Sequence, residues 1–95
     1  MSAPHLLVHE HADNVGVVVV EDLTAGTEML CVVTHDDSTF KLTAKNDVPI
    51  GHKIALKDLA VGDTATKYGE DIGKVVAAIG KGEHVHTHNV KTKRW

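Results

Sequence analysis

The sequence has few aromatic residues: one phenylalanine, one tyrosine and one tryptophan among 95. Its core must therefore come from valine, leucine, isoleucine and alanine, and little aromatic surface remains to stack on nucleic-acid bases. An excess of one charge is also lacking, because thirteen acidic and ten basic residues are mixed along the chain and give a formal charge of −3. This composition argues against nucleic acid and membrane surfaces as partners.

Cysteine occurs once, at Cys31, so no internal disulfide can form and a reducing cytoplasm suits the chain. Cys31 lies in the apolar run MLCVVT, which predicts a buried thiol rather than a nucleophile. The longest apolar stretch, VGVVVV, is far too short to span a bilayer, and the first residues lack the pattern of a signal peptide. We therefore expect a cytoplasmic protein.

Short β-branched runs separated by Gly, Asp, Asn and Pro recur along the chain without an internal repeat or linker. They predict one all-β domain over residues 1–95, with at most one short helix. The predicted strands are His5 to His9, Val15 to Val20, Glu28 to Thr34, Thr39 to Thr43, His52 to Leu56, Ala65 to Tyr68, Lys74 to Ala78 and His84 to His88.

Two of these segments carry a more specific prediction. VGVVVV, residues 15–20, is apolar at successive positions, and its β-branching favours a strand buried on both faces over a buried helix. LKDLAVGD, residues 56–63, is the one segment with helical spacing, since Leu56, Leu59 and Ala60 would share a face and Gly62 would cap the turn. At most one or two turns of helix are expected there.

Histidine is the compositional anomaly, with eight residues, three of them alternating in HVHTH. In a strand, His84, His86 and His88 would share one face, with Cα atoms about 6.5 to 7 Å apart. Imidazoles at that spacing can meet on one divalent ion, and neutral imidazole suits zinc, iron, nickel or copper and coordinates magnesium poorly. The alternative is a polar strand face that shows its histidines to water, and spacing alone leaves both interpretations open.

Other polar residues have a functional and a simpler interpretation. Gly51 allows a sharp entry into a strand, so His52 is a candidate base or metal ligand and Lys53 a candidate anchor for an anion. The simpler alternatives are a turn histidine and a solvated lysine. Asn14 precedes a buried strand, where an Asx-type turn accounts for it. Trp95 is a candidate anchor for a partner surface.

Four motifs in fixed order, DNV, IGHKIAL, KYGEDIGKV and GEHVHTHN, span residues 13–89. Together they resemble the small SAF-type domain of the altronate and galactarate dehydratase family. The resemblance covers most of the chain and implies a β-clip fold. It departs from the family at Glu10, where a histidine is frequent, although His9 and His11 flank that position. The chain resembles the members in which this domain is a separate small subunit working with a large lyase subunit.

The resemblance also implies a reaction. We expect a carbon–sulfur or carbon–oxygen lyase, active only with its large partner, that eliminates a β-leaving group from a small anionic 2-hydroxy acid. The first expectation is conversion of (2R)-sulfolactate to pyruvate and sulfite. The alternative is the small subunit of an altronate- or galactarate-type sugar-acid dehydratase, and an alternative of another class is a noncatalytic module that binds a sugar acid or a metal.

The resemblance implies a site that holds a divalent metal. Iron is expected first, with manganese, zinc or magnesium as alternatives. The site should lie at the interface with the large subunit, because so small a domain does not enclose a full pocket, and the isolated chain could self-associate through exposed strands. The predicted metal ligands are His84, His86 and His88, the predicted catalytic residues are His52 and His86, and the predicted substrate-binding residues are Asn14, Lys53 and Asn89.

Overall fold

The computed structural model describes residues 3–67, 70–86 and 88–91. Within these ranges the chain forms two β-sheets and contains no helix, hence none long and apolar enough to cross a membrane. The strands are β1 (Leu6–Val8), β2 (Val15–Val18), β3 (Glu28–Val33), β4 (Ser38–Thr43), β5 (Lys53–Ala55), β6 (Thr64–Lys67), β7 (Glu70–Val75), β8 (His84–Val85) and β9 (Val90–Lys91). The prediction of an all-β fold is confirmed.

The larger sheet has the strand order β4-β3-β1-β2-β5-β8. Its pairs are antiparallel except for β1 with β3, which run parallel. At one edge β5 pairs with β8, with Lys53 opposite Val85 and Ile54 opposite His84. This pairing brings two segments that are about thirty residues apart in the sequence into direct contact, and both segments carry histidine.

The smaller sheet has the order β6-β7-β9, and both pairs are antiparallel. Because β8 belongs to the larger sheet and β9 to the smaller, the turn between Val85 and Val90 joins the two sheets. The histidine-rich segment therefore lies at their junction.

Two apolar clusters form the core, and β2 contributes to both. Val18 packs in the first, with Leu6 and Met29, while Val15 packs in the second, with Val75. The prediction that VGVVVV is a strand buried on both faces is confirmed, although β2 ends at Val18. Cys31 is buried in the first cluster, and that burial raises the pKa of its thiol to about 11.

No helix forms at residues 56–63, the one segment with helical spacing. Leu59 instead forms an isolated antiparallel bridge with Ile79 and packs in the second apolar cluster. The Asp63 carboxylate accepts a hydrogen bond from the Ala60 amide, and the Gly62 amide donates to the Val75 carbonyl. The apolar spacing that suggested a helix therefore reflects a turn that directs Leu59 into the core.

The predicted strand from His84 to His88 is wrong, because β8 ends at Val85. The chain then turns, with the Asn89 and Val90 amides both donating to the His86 carbonyl, before β9 begins at Val90. The smaller sheet differs too, since β7 starts at Glu70 rather than Lys74. The predictions made for Tyr68 and Trp95 lie outside the described residues.

Candidate metal centre

Two glycine turns lead into the segments that carry the histidines. Gly51, at φ +86°, precedes His52, whose carbonyl accepts a hydrogen bond from the Val18 amide and so joins His52 to the edge of β2. Gly82, at φ +88°, precedes β8 at a point where an added Cβ would collide with the Thr43 carbonyl oxygen. Positive φ favours glycine at both positions, Gly82 more strongly because of the collision, and both lie just before a histidine-bearing segment.

Three imidazoles converge at the edge of the larger sheet. The side chains of His52, His84 and His86 each offer one nitrogen, and these nitrogens all lie within 4.8 Å of one another. His52 Nδ1 and His84 Nε2 are 2.8 Å apart and hydrogen-bonded, and the rings of His52 and His86 stack with centroids 3.9 Å apart and planes 12° apart. Of the residues that the structure describes, these three form its one cluster of three or more potential metal ligands.

One pair of nitrogens in the cluster has nearly the separation that a shared metal ion requires. Two nitrogens bound to one ion at about 2.1 Å lie roughly 3 Å apart at a right angle and roughly 3.4 Å apart at the tetrahedral angle. The separation of 2.8 Å between His52 Nδ1 and His84 Nε2 is close to the first value. An all-imidazole set suits iron, zinc, nickel or copper better than magnesium or manganese, which favour oxygen ligands. The residues present therefore fit a divalent transition metal.

The electrostatic environment favours the neutral imidazoles that coordination needs. Burial lowers the pKa of His84, and the neighbouring imidazoles of His52, His88 and His86 lower it further. The pKa of His86 is also lowered, first by desolvation and then by His52, Lys53 and His88. Because the charged form of each ring is disfavoured, both histidines keep a lone pair available at lower pH than an ordinary histidine does.

The observed cluster differs from the predicted ligand set by one member. The structure brings His84 and His86 together, and the third imidazole in the cluster is His52 rather than His88. His88 is exposed, and its ring lies 5.1 Å from that of His84 at an angle of 47°. The prediction assumed one continuous strand, whereas the chain turns after Val85. The motif GHK was the sequence signal for His52, but nothing in it showed that β5 would pair with β8.

Two of the predicted substrate-binding residues are asparagines whose amides bond to backbone. Asn14 Nδ2 donates to the Thr64 carbonyl, and its Oδ1 accepts from the Thr66 amide, at 2.8 and 2.7 Å. Asn89 is bonded in the same manner to His84 and His86. Both side chains are buried. Their predicted contacts with a substrate stay predictions, while their visible role is to hold backbone.

Lys53, the third predicted substrate-binding residue, lies beside the cluster. Its side chain is half-buried on β5, and burial followed by the charge of Lys67 lowers its pKa. Its own charge contributes to the lowered pKa of His86. Lys53 is therefore a cation within electrostatic range of the imidazoles, as an anchor for an anionic substrate would be.

A polar cavity of about 560 Å³ opens next to the cluster. Its volume is within the range of small-molecule sites. Sequence reasoning did not single out Asn46, which lies in the turn before β5 and whose Oδ1 accepts a hydrogen bond from the His84 amide at 2.9 Å. The cavity is lined by Asn46, Asp47, Ala77, Ala78, Glu83, His84, His88 and Asn89.

Comparison with known protein families identifies the family to which the chain belongs. The family described as the altronate/galactarate dehydratase SAF domain matches residues 4–93, and the chain belongs to it. The resemblance inferred from the four motifs is confirmed.

Individual relatives fall into two kinds. The chain is 69% identical over 67 residues to the (2R)-sulfolactate sulfo-lyase subunit alpha of Paracoccus pantotrophus, which covers 70% of this chain and all of that protein. It is 53% identical over 89 residues to the subunit alpha of the same name from Chromohalobacter salexigens, covering 94% and 95% of the two chains. It is 46% identical over 80 residues to the altronate dehydratase of Escherichia coli, covering 84% of this chain but 15% of that protein.

Proposed function

We propose that this chain, as one domain over residues 1–95, is the small subunit of a lyase that converts (2R)-sulfolactate to pyruvate and sulfite. The observation that carries the proposal is the similarity, over nearly their whole lengths, to two proteins named as the alpha subunit of that lyase. The imidazole cluster supports the proposal, because it could hold a metal. This elimination needs a group that stabilises negative charge on a carboxylate and its α-hydroxyl.

The reaction balances without an oxidant or reductant. A base takes the proton from C2, the electrons of that C–H bond form the C2–C3 double bond, and the C3–S bond breaks with its electron pair leaving on sulfite. The resulting enol loses its hydroxyl proton, gains a proton at C3 and so becomes pyruvate. The C2 proton is weakly acidic, so catalysis depends on stabilising the charge that develops as the proton leaves.

In this proposal His52, His84 and His86 hold a divalent metal. The bound ion would act as a Lewis acid toward the carboxylate and α-hydroxyl of the substrate. The all-imidazole donor set supports iron or zinc over magnesium or manganese. We propose iron, and elemental analysis of the purified two-subunit complex separates it from zinc.

The proton-transfer role predicted for His52 and His86 competes with coordination, because a nitrogen bound to a metal cannot accept a proton. We therefore assign these two residues to the metal and assign the base to His88. It lies outside the ligand cluster, and it lines the same cavity as His84. Lys53, half-buried beside His86, holds an anionic group of the substrate.

A large lyase subunit completes the site. The cavity beside the cluster is formed largely by exposed side chains, among them His88, Ala77 and Ala78. A site that must exclude water during proton abstraction needs a cover that the described part of this chain does not provide. The proposed enzyme is cytoplasmic.

Co-expression with a large lyase subunit tests the function. The purified complex should release pyruvate and sulfite in equal amounts from (2R)-sulfolactate, and neither chain alone should do so. His86→Ala in the complex should abolish release, whereas His35→Ala, a change at an exposed histidine outside the cluster, should leave it intact. Absence of both products from the wild-type complex would contradict the proposal.

A second candidate function is dehydration of a sugar acid, favoured by the 46% identity to an altronate dehydratase over 84% of this chain. The same complex should then turn over altronate or galactarate and leave sulfolactate unchanged. Binding of metal or sugar acid without turnover of any of these substrates would instead support a noncatalytic module.

A further inference from the structure

The backbone of His84 is bonded to side-chain amides. Its N–H donates to Asn46 Oδ1 at 2.9 Å, and its carbonyl accepts from Asn89 Nδ2 at 2.8 Å. β8 is an edge strand, and backbone groups on the outer side of such a strand would otherwise face solvent. Two asparagines thus fix the backbone of one member of the imidazole cluster.

Asn89 extends this restraint to a second member of the cluster. Its side-chain Oδ1 accepts a hydrogen bond from the His86 backbone N–H at 2.9 Å. Its backbone N–H donates to the His86 carbonyl at 3.1 Å. Its carbonyl accepts from the Val76 amide at 2.8 Å, which ties the turn to the end of β7. One residue therefore bonds the backbone of both His84 and His86 and attaches them to the smaller sheet.

The Asn89 side chain is buried, with 6% of the residue exposed, and bonded to backbone at both its oxygen and its nitrogen. Breaking hydrogen bonds that are shielded from water leaves buried polar groups unpaired, which costs free energy. The backbone at His84 and at His86 therefore resists separation from Asn89. The Asn89 amide therefore restrains the backbone from which the His84 and His86 rings extend.

We propose that Asn89 is a positioning residue that holds His84 and His86 at the spacing a divalent metal requires, rather than a residue that contacts substrate. The proposal rests on the metal-binding role given to the cluster under the proposed function. It predicts that Asn89 acts on metal affinity through the two histidines, as residues that orient metal ligands do.

Asn14 provides a matched control. It is also a buried asparagine, at 9% exposed, and its Oδ1 and Nδ2 also bond to two backbone groups on one strand. Those groups belong to Thr64 and Thr66 of β6, which carry no member of the cluster. Loss of either amide removes two hydrogen bonds from a buried site, but only loss of Asn89 should move the imidazoles.

The test uses the full chain as wild type, Asn89→Ala, Asn89→Asp and Asn14→Ala, each below its unfolding temperature. In the metal-free chain, 15N NMR of the imidazole nitrogens reports the bond between His52 and His84, and calorimetric titration with Zn²⁺ reports affinity. Asn89→Ala should lose the NMR signature and bind Zn²⁺ about 10- to 100-fold more weakly. Asn14→Ala should retain both, although it too should unfold at lower temperature.

Asn89→Asp separates the two halves of the restraint, because a carboxylate can accept from the His86 amide but cannot donate to the His84 carbonyl. It should bind Zn²⁺ with affinity between those of wild type and Asn89→Ala, and it carries the test should Asn89→Ala not fold. Wild-type NMR spectra and Zn²⁺ affinity in folded Asn89 variants would overturn the proposal. Loss of the NMR signature in a chain whose wild type binds no Zn²⁺ would support positioning by Asn89 and contradict the proposed metal role instead.

Discussion

His52 and His88 differ in ways that only the folded chain shows. His52 follows a glycine and hydrogen-bonds to His84, whereas His88 is exposed in the turn after β8. The motif HVHTH suggested a ligand set within residues 84–88, because a spacing pattern relates only residues that are close in the sequence. The third imidazole comes from 32 residues away through the pairing of β5 with β8, which no local pattern specifies.

This difference yields a prediction for single substitutions. His52→Ala should weaken metal binding by the full chain as strongly as His84→Ala does, because each removes one of three ligands. His88→Ala should leave the affinity close to that of wild type and should lower turnover of the two-subunit complex. Calorimetric titration and initial rates measure the two effects. Metal loss in His88→Ala, with retention in His52→Ala, would restore the ligand set predicted from sequence.

The lowered pKa values of His84 and His86 predict how the stability of the metal-free chain depends on pH. In the unfolded chain these histidines titrate near the ordinary value of about 6.5, so the unfolded state takes up protons first as the pH falls. Their contribution is therefore fully present above about pH 6.5 and is lost as the pH falls from there through the lowered pKa values.

Urea unfolding at about pH 7.5 and about pH 5.5 measures this effect as a change in the free energy of unfolding. Wild type should lose more stability on acidification than a variant with His84→Gln and His86→Gln. An equal loss in the two proteins would show that these imidazoles are not the groups responsible.

At the scale of secondary-structure elements, β-branched runs bounded by turn residues located most of the strands. The run at residues 28–34 became β3, and VGVVVV became β2, because alternation and β-branching report directly on a pleated, buried surface. Two segments have a residue spacing that their structure does not follow. LKDLAVGD has helical spacing, but Leu59 is held by a bridge to Ile79, while His84 to His88 has strand spacing interrupted by a turn closed by Asn89.

Gly82 gives a prediction at this scale, because it lies in the turn that leads into β8. Gly82→Ala should cost about 1 to 2 kcal/mol from its positive φ alone. The collision of the new Cβ with the Thr43 carbonyl should add to that cost and displace β8. Gly26→Ala is the matched control, since Gly26 has φ +92° and no atom within 4 Å of an added Cβ. Urea midpoints should rank wild type above Gly26→Ala and Gly26→Ala above Gly82→Ala; equal midpoints for the two variants would contradict this account.

At the scale of the whole molecule, composition and pattern were sufficient for the fold class, and the ordered motifs were sufficient for the family. They did not specify that the imidazole cluster would lie where the larger sheet meets the smaller one, because that position depends on β8 and β9 pairing with different sheets. The same arrangement leaves the cavity beside His84 open to solvent. A site placed at an open junction suits a subunit that acts together with a larger partner.

Anomalous diffraction from crystals of the metal-loaded two-subunit complex tests the central claim most directly. The account predicts one anomalous peak bonded to His52, His84 and His86 at about 2.0 to 2.3 Å, close to where the imidazole nitrogens already converge. A peak bound only by the large subunit, with the three imidazoles still hydrogen-bonded and stacked on one another, would contradict it.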